Sequence, residues 1–247
     1  MKRLLRLSIF FMLCSLLFAS CADDDYIEEP YSVMQDSPNY KAKVAIFGGS
    51  FSVNSESNIV KRYWTNSLKL DITNYGEGSA GYSRKAKKCV QDQIDRATSA
   101  AKPMYDIYIL WCSTNDATAR AEIGDTDAFT EADGYAPEAL QTQNGGLNYC
   151  YAKIKKKNPK AKILLLTSIG VYAWGEQFHA DDGLLAKFVD AQIELAEARG
   201  MTCVNLFEKI KFTPETYKPY FLSDDVHLNE SGYLLMKDDV LAALATM

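Results

Sequence analysis

The sequence predicts an α/β domain over residues 41–247, a three-layer αβα sandwich around a central five-stranded parallel sheet. Two observations support this fold class. Short apolar segments suited to buried strands recur along the chain, and amphipathic segments with helical spacing lie between them. This alternation is typical of a parallel sheet whose two faces are both covered by helices.

The strands are predicted from runs of apolar residues. The clearest run is 106–112, and the first is 44–47, which two glycines and Ser50 follow directly. A continuous apolar run is expected where both faces of a strand are buried. The five predicted strands are residues 44–47, 70–75, 106–112, 162–166 and 201–206.

The helices are predicted between and after these strands. Ser57 or Asn58 can cap the first, Asn158-Pro159 stops the third, and Gly200 suits the left-handed end of the fourth. Residues 117–146 are acidic and poor in apolar residues, and they are predicted to be a long loop that ends at two glycines. The predicted helices are residues 57–68, a segment from about 83 through 94, 147–157, 182–200 and 230–245.

Charge and cysteine usage exclude some classes of function. The net charge of −5 argues against a nucleic-acid partner, since phosphates require a basic face. The cysteines of the predicted domain are far apart in sequence and form no C-x-x-C pair, so no metal site is expected. Buried free thiols are favoured over disulfides. These cysteines are Cys89, Cys112, Cys150 and Cys203.

The first 21 residues are predicted to be a targeting signal. A basic start precedes an apolar run that is too short to span a membrane. The sequence Leu-Phe-Ala-Ser-Cys that ends at Cys21 resembles a bacterial lipobox, which implies cleavage before Cys21 and its lipidation. A simple secretory signal is the alternative. Residues 22–40 are acidic at their start and are predicted to be a flexible tether.

Chemically useful residues follow several of the predicted strands. Ser50, the glycine-rich loop 76–81, Asn115, and the segment with Asp224 and His227 come from different connections. Ligands bind beyond the carboxyl ends of parallel strands, so these loops are expected to meet. Ser50 alone would also fit a plain strand-to-loop turn. Together, a serine, a histidine and a carboxylate are the parts of an activated nucleophile.

The scarcity of histidine narrows the choice of a base. The chain has two, His179 and His227, and a neutral imidazole is the natural base near pH 7. Asp224 lies three residues before His227, a spacing that allows its carboxylate to bond the imidazole in a turn. We therefore assign the base to His227 and interpret His179 as a surface or rim residue.

In this order, the motifs resemble those of the SGNH hydrolases, the family that includes GDSL-type lipases and esterases. Gly48-Gly-Ser50 is similar to the nucleophile block, with Gly49 in place of the usual aspartate. Ser113-Thr-Asn-Asp116 resembles the Gly-x-Asn-Asp block, with Ser113 in place of glycine, and Asp224 with His227 completes the Asp-x-x-His block. The block with an oxyanion-hole glycine falls in 74–81, where Gly78 is preferred and Ser79 is the alternative.

The resemblance implies a flavodoxin-like fold and ester hydrolysis through an acyl-enzyme. Ser50, Asp224 and His227 are the expected catalytic residues, and Ser50, Gly78 and Asn115 the expected oxyanion donors. It implies no cofactor and no metal. We expect a monomeric carbohydrate O-deacetylase acting on a small-molecule or glycan ester, anchored through Cys21 at the surface of a bacterial outer membrane. The alternatives are a lipid or thioester hydrolase and an inactive glycan-binding lipoprotein.

Overall fold

A five-stranded parallel sheet forms the centre of the computed structural model. The strands are β1 (Lys43–Gly48), β2 (Asp71–Asn74), β3 (Ala80–Gly81), β4 (Lys88–Cys89), β5 (Ile107–Trp111), β6 (Lys162–Leu166) and β7 (Thr202–Val204), of which β3 and β4 form a separate two-stranded sheet. The strand order of the main sheet is β2-β1-β5-β6-β7. β5 pairs with β1 on one side and with β6 on the other, so that Ile109 lies opposite both Ile46 and Leu164. The fold class predicted from the sequence is confirmed.

Helices cover both faces of the main sheet. Short 3₁₀ turns lie at Ala139–Gln141, Glu176–Phe178 and Lys218–Tyr220. The helices are α1 (Ser50–Val53), α2 (Ser57–Leu68), α3 (Val90–Thr98), α4 (Asn115–Thr118), α5 (Gln143–Lys157), α6 (Leu184–Ala198), α7 (Leu206–Lys209), α8 (Glu230–Leu234) and α9 (Lys237–Thr246).

Alternate residues of each central strand enter two different hydrophobic clusters. Ile46 and Ile109 belong to a cluster completed by side chains of α2 and α9, such as Trp64. Phe47 and Leu110 belong to a second cluster completed by α3 and α5. Successive side chains of a strand point to opposite faces, so the two clusters are the two interfaces of a three-layer sandwich.

The structure describes residues 30–127, 138–179 and 183–247. The predicted targeting signal with Cys21, the first part of the predicted tether (22–29) and part of the predicted acidic loop lie outside these ranges. Tyr31–Met247 forms one compact unit. Within it, the N–H of Met34 donates a 2.8 Å hydrogen bond to the carbonyl of Ser67, and the side-chain amide of the buried Asn39 donates one of 2.7 Å to the carbonyl of Leu244. Residues 31–40, which the sequence assigned to the tether, therefore belong to the folded unit.

Three predicted helix boundaries are wrong. α3 begins at Val90 and not near residue 83, because residues 80–89 are held by the β3–β4 pair. α5 begins at Gln143, so the two glycines that were expected to end the loop lie in the first turn of this helix. Glycine is required at position 146, because a Cβ atom there would clash with the carbonyl oxygen of Tyr82. The predicted last helix is divided into α8 and α9.

The cysteines of the described ranges are free thiols, as favoured by the sequence. Burial raises the pKa of Cys89 and of Cys203 to about 11, so both remain protonated at neutral pH. None of the helices in the described ranges has the length and apolar character needed to cross a bilayer.

Candidate active site

The strand before Ser50 ends in a tightly held turn. Gly48 is the last residue of β1 and lies opposite Trp111 in the sheet, and Ser50 begins α1 two residues later. The buried side chain of Gln93 accepts a 3.0 Å hydrogen bond from the N–H of Gly48 and donates one of 3.0 Å to its carbonyl. Both polar backbone groups of Gly48 are thus paired by one amide, which fixes the end of the strand.

Ser50, His227 and Asp224 form a continuous hydrogen-bonded chain, although Ser50 and His227 are 177 residues apart in sequence. Ser50 Oγ lies 2.8 Å from His227 Nε2, and His227 Nδ1 lies 2.6 Å from Asp224 Oδ2. All three side chains are partly open to solvent. The structure therefore brings together the three residues that the sequence proposed as catalytic.

The charge on Asp224 determines the tautomer of His227. Burial by itself would raise the pKa of the Asp224 carboxyl group. This carboxyl group accepts hydrogen bonds from the backbone N–H and the imidazole of His227 and from the N–H of Val226. These bonds have the larger effect, and the pKa of Asp224 is lowered. An ionised carboxylate only accepts hydrogen bonds, so Nδ1 carries the imidazole proton. Nε2 is then left as an acceptor for the hydroxyl hydrogen of Ser50.

The loop that carries Asp224 and His227 is fixed from several sides. The carbonyl of His227 accepts a 2.8 Å hydrogen bond from the N–H of Leu222. Asp225, in the left-handed region at φ 57°, forms a 2.6 Å ion pair with Lys218. Its carbonyl accepts a 2.8 Å hydrogen bond from the N–H of Tyr172, which ties this loop to the segment after β6.

Asn115, at the start of α4 after β5, lies against the turn that precedes Ser50. A Cβ atom at Gly49 would lie 2.7 Å from Asn115 Nδ2 and 2.7 Å from the carbonyl oxygen of Ala80, so this turn has no room for the aspartate usual in the family block. The amide of Asn115 donates 2.9 Å hydrogen bonds to that carbonyl and to Ser113 Oγ. To donate to a bound ligand, Asn115 must release one of these bonds.

The glycine-rich loop leaves two candidate backbone donors. The N–H groups of Glu77 and Ala80 donate to the carbonyls of Gly48 and Glu77. Within the described part of the chain, the backbone N–H groups of Gly78 and Ser79 have no acceptor. Gly78 is half-buried, whereas Ser79 is exposed and left-handed at φ 65°. The geometry keeps both as candidates.

Asp116 is a buried carboxylate that the sequence did not single out. Its two oxygens accept hydrogen bonds from the N–H groups of Tyr82 (2.9 Å) and Ser83 (2.7 Å). Burial raises its pKa to about 6, although these two hydrogen bonds oppose the change. Asp116 thereby ties α4 to the loop that contains Ala80, the partner of Asn115.

Replacing Asp116 with asparagine is expected to alter how stability depends on pH. The carboxyl group binds its proton more tightly in the folded state, where its pKa is about 6, than in the unfolded chain, where it is near 3.8. Its contribution to the free energy of unfolding therefore falls as pH rises from about 4 to about 6, by on the order of 3 kcal/mol. Thermal unfolding between pH 3.5 and 7 should show this decline in the wild type and its absence in Asp116→Asn. Parallel curves would contradict the assignment.

His179, the other histidine of the sequence, takes no part in this chain of hydrogen bonds. His179 packs against the ring of Tyr172, with ring centroids 4.5 Å apart, and it is half-buried, which agrees with a rim position. Tyr172 also stacks on Tyr217, with ring centroids 3.9 Å apart. In the described ranges, no three His, Cys, Asp or Glu side chains lie close enough together to hold a metal ion.

Gln93 and Asp116 are the positioning residues that sequence reasoning missed. Asp116 carried a signal, because it directly follows Asn115 in the recognised block. The sequence contains no signal for Gln93, because glutamine is a common residue within amphipathic helices.

The family model for the GDSL-like lipases and acylhydrolases matches residues 44–235 of this chain. This protein belongs to the GDSL-like lipase and acylhydrolase family. The matched range begins in β1 and extends through Asp224 and His227. An acylhydrolase of this family hydrolyses esters in general. The resemblance of the sequence motifs to those of the SGNH hydrolases is confirmed.

Solved structures share the fold of this GDSL-like acylhydrolase. A protein from Lactobacillus plantarum matches with a TM-score of 0.64 at 15% identity, over 82% of this chain and 96% of that chain. A protein from Bacteroides ovatus, predicted to be a GDSL-like lipase, matches with a TM-score of 0.55 at 15% identity, over 81% and 95%. The lipase/acylhydrolase from Enterococcus faecalis matches with a TM-score of 0.53 at 15% identity, over 83% and 95%. No curated protein matches the chain.

Proposed function

We propose that this protein is a serine esterase that hydrolyses carboxylic esters through an acyl-enzyme, with Ser50, His227 and Asp224 as its catalytic residues. The observation that carries the proposal is the chain of hydrogen bonds from Ser50 Oγ through the imidazole to the carboxylate, 2.8 Å and 2.6 Å long. These distances lie within the reach required for proton transfer between a nucleophile and its base.

In the proposed mechanism, His227 Nε2 takes the hydroxyl proton as Ser50 Oγ attacks the ester carbonyl carbon. Asp224 stabilises the imidazolium that forms. His227 then donates the proton to the leaving alcohol, and the C–O bond to that alcohol breaks. A water molecule, deprotonated by the same imidazole, attacks the acyl-enzyme and releases the acid and Ser50.

The oxyanion is proposed to bind three donors. Ser50 is the first residue of α1, so its N–H has no acceptor within that helix. The N–H of Gly78 and the amide of Asn115 complete the set, with Asn115 exchanging its bond to Ser113 for one to the oxyanion. Ser79 is the alternative backbone donor.

Replacing Asn115 with alanine is expected to lower kcat by roughly a hundredfold to a thousandfold, since a donor aimed at developing charge acts mainly in the transition state. Steady-state kinetics with p-nitrophenyl acetate measures this effect. Thermal unfolding of the variant checks that α4 is undamaged. An Asn115→Ala variant with wild-type kcat would remove Asn115 from the oxyanion hole.

The proposed substrate class is an acetylated carbohydrate, with lipid esters and thioesters as alternatives. The His227 and Asp224 side chains are 23% and 47% exposed, so the site is open to solvent on the side of these residues. An open site suits a short acyl group on a large polar alcohol. Rates with p-nitrophenyl esters of increasing chain length, and with acetylated oligosaccharides, separate these alternatives.

A second candidate is a glycan-binding protein that has lost its chemistry. It is favoured by the hydrogen bonds that occupy the Asn115 amide, one of them to Ser113, the residue that departs from the family block. Labelling with a fluorophosphonate distinguishes the two candidates, because the probe reacts only with an activated serine. A mass adduct on Ser50 supports the esterase, and an unlabelled protein supports the binding module.

We also propose that the protein is exported and attached to the outer membrane through a lipid on Cys21, as a surface-exposed monomer. The support is the lipobox-like sequence that ends at Cys21 and the acidic residues that follow it. Incorporation of labelled palmitate into the expressed full-length chain is expected, and Cys21→Ser should abolish it. Labelling of the Cys21→Ser variant would exclude that cysteine.

A further inference from the structure

A cavity of about 470 Å³ is lined by residues that follow Asn115 in the chain and by residues of the segment after β6. Its volume falls in the range of roughly 300–1,000 Å³ that is usual for sites that bind small molecules. Its lining includes Thr118 and Arg120 from the first of these segments and Trp174 and Gln177 from the second. None of these residues takes part in the proposed chemical steps.

Both segments that line the cavity are connected to proposed catalytic loops. Thr118 belongs to α4, whose first residue is Asn115, and the helical rise places it about 4.5 Å further along the axis. The other lining residues begin at Trp174, two residues after Tyr172, whose N–H donates to the carbonyl of Asp225, the residue next to Asp224. The cavity therefore adjoins elements that hold or contact Asn115 and Asp225, close in sequence to the proposed catalytic residues.

Trp174 gives the cavity an aromatic surface. Its side chain is 43% exposed, and Phe178 supports it edge-to-face with ring centroids 5.6 Å apart. The other two tryptophans, Trp64 and Trp111, are buried. The flat indole face suits the C–H face of a pyranose ring, and the exposed Thr118 hydroxyl and Gln177 amide are suitable partners for sugar hydroxyls.

Arg120 gives the cavity a positive charge. It is exposed, and within the described ranges its guanidinium forms no ion pair or hydrogen bond. A guanidinium binds a carboxylate through two parallel hydrogen bonds, which a neutral hydroxyl cannot reproduce. As far as the described residues go, this guanidinium is available to bind an acidic ligand.

We propose that this cavity holds the sugar of the substrate, that Trp174 stacks on its ring, and that Arg120 selects a sugar that carries a carboxylate. The proposal rests on the esterase function proposed above and names its substrate class, an O-acetylated sugar acid or a glycan that contains one.

The first test measures binding without catalysis. Titration with the methyl glycoside of glucuronic acid is expected to change the fluorescence of Trp174, and Trp174→Phe should remove that change. Arg120→Gln should weaken binding roughly ten- to a hundredfold, because a hydrogen-bonded pair of opposite charges contributes about that factor to affinity. Lys102→Gln, which removes an exposed charge before the amino end of β5, should bind as the wild type does. Equal affinity for the methyl glycosides of glucuronic acid and glucose would overturn the proposal.

The second test uses the O-acetylated forms of the same two glycosides. The ratio of their kcat/KM values should favour the acid in the wild type and fall at least tenfold in Arg120→Gln, mainly through KM. An unchanged ratio overturns the role of Arg120. A wild type that hydrolyses no ester refutes the esterase proposal instead, and the fluorescence titration still decides whether the cavity binds a sugar acid.

Discussion

Replacing Ser50 with alanine is expected to lower kcat/KM for p-nitrophenyl acetate by roughly 10⁴- to 10⁶-fold, the range known for the loss of an activated nucleophile. Without Oγ no acyl-enzyme can form, and the oxyanion donors alone sustain only slow hydrolysis by water. The fold should be retained, because the side chain is only half-buried and its Oγ bonds to an exposed loop. Unfolding curves of the variant check this point.

Ser55→Ala is the matched control for this experiment. Ser55 is an exposed serine shortly after α1, and its hydroxyl lies outside the chain of hydrogen bonds. It should retain wild-type kinetics and fluorophosphonate labelling, whereas Ser50→Ala should lose both. Wild-type turnover by Ser50→Ala would show that another group is the nucleophile.

Replacing His227 with alanine is expected to lower kcat/KM by a similar factor of roughly 10⁴ or more, because the serine hydroxyl then has no base to take its proton. The rate of fluorophosphonate labelling should fall with it, since the probe needs the same activation. Asp224 is ionised and would be left without its imidazole partner, but nearly half of its side chain is exposed. Solvation then limits the effect on stability.

His179→Ala is the control, since it removes the other imidazole of the chain. It should keep kcat/KM within a few-fold, although it removes a ring that packs on Tyr172. The reverse result, with His227→Ala active and His179→Ala inactive, would transfer the role of the base to His179.

The main features of the fold could be predicted because they depend on local patterns. The apolar runs of β1, β5 and β6 are long enough to indicate buried strands, and the spacing of Ile59, Val60 and Trp64 indicates the buried face of α2. The predicted start of α3 was wrong because the segment before this helix pairs with residues 80–81. That tertiary contact overrides the helical pattern of the segment.

The candidate site was predicted from a fold rule and from scarcity. The carboxyl ends of parallel strands share one edge of the sheet, which placed Ser50 and Asn115 together, and the chain has two histidines from which to choose. The state of the Asn115 amide could not be predicted. Its two partners are carbonyl and hydroxyl oxygens whose positions depend on how the loop with Ala80 packs.

By itself, the sequence determined the sandwich architecture and identified the serine, histidine and aspartate that lie in hydrogen-bond contact. Both could be predicted because strand periodicity and a short motif such as Asp224-x-x-His227 are properties of neighbouring residues. Only the tertiary structure decided which polar side chains hold the site in place. Gln93 pairs with Gly48 across 45 residues, and Asp116 pairs with Tyr82 across 34. A buried backbone group forms a hydrogen bond with whichever suitable partner the packing brings within about 3 Å. The spacing of residues in the sequence does not indicate which partner that is.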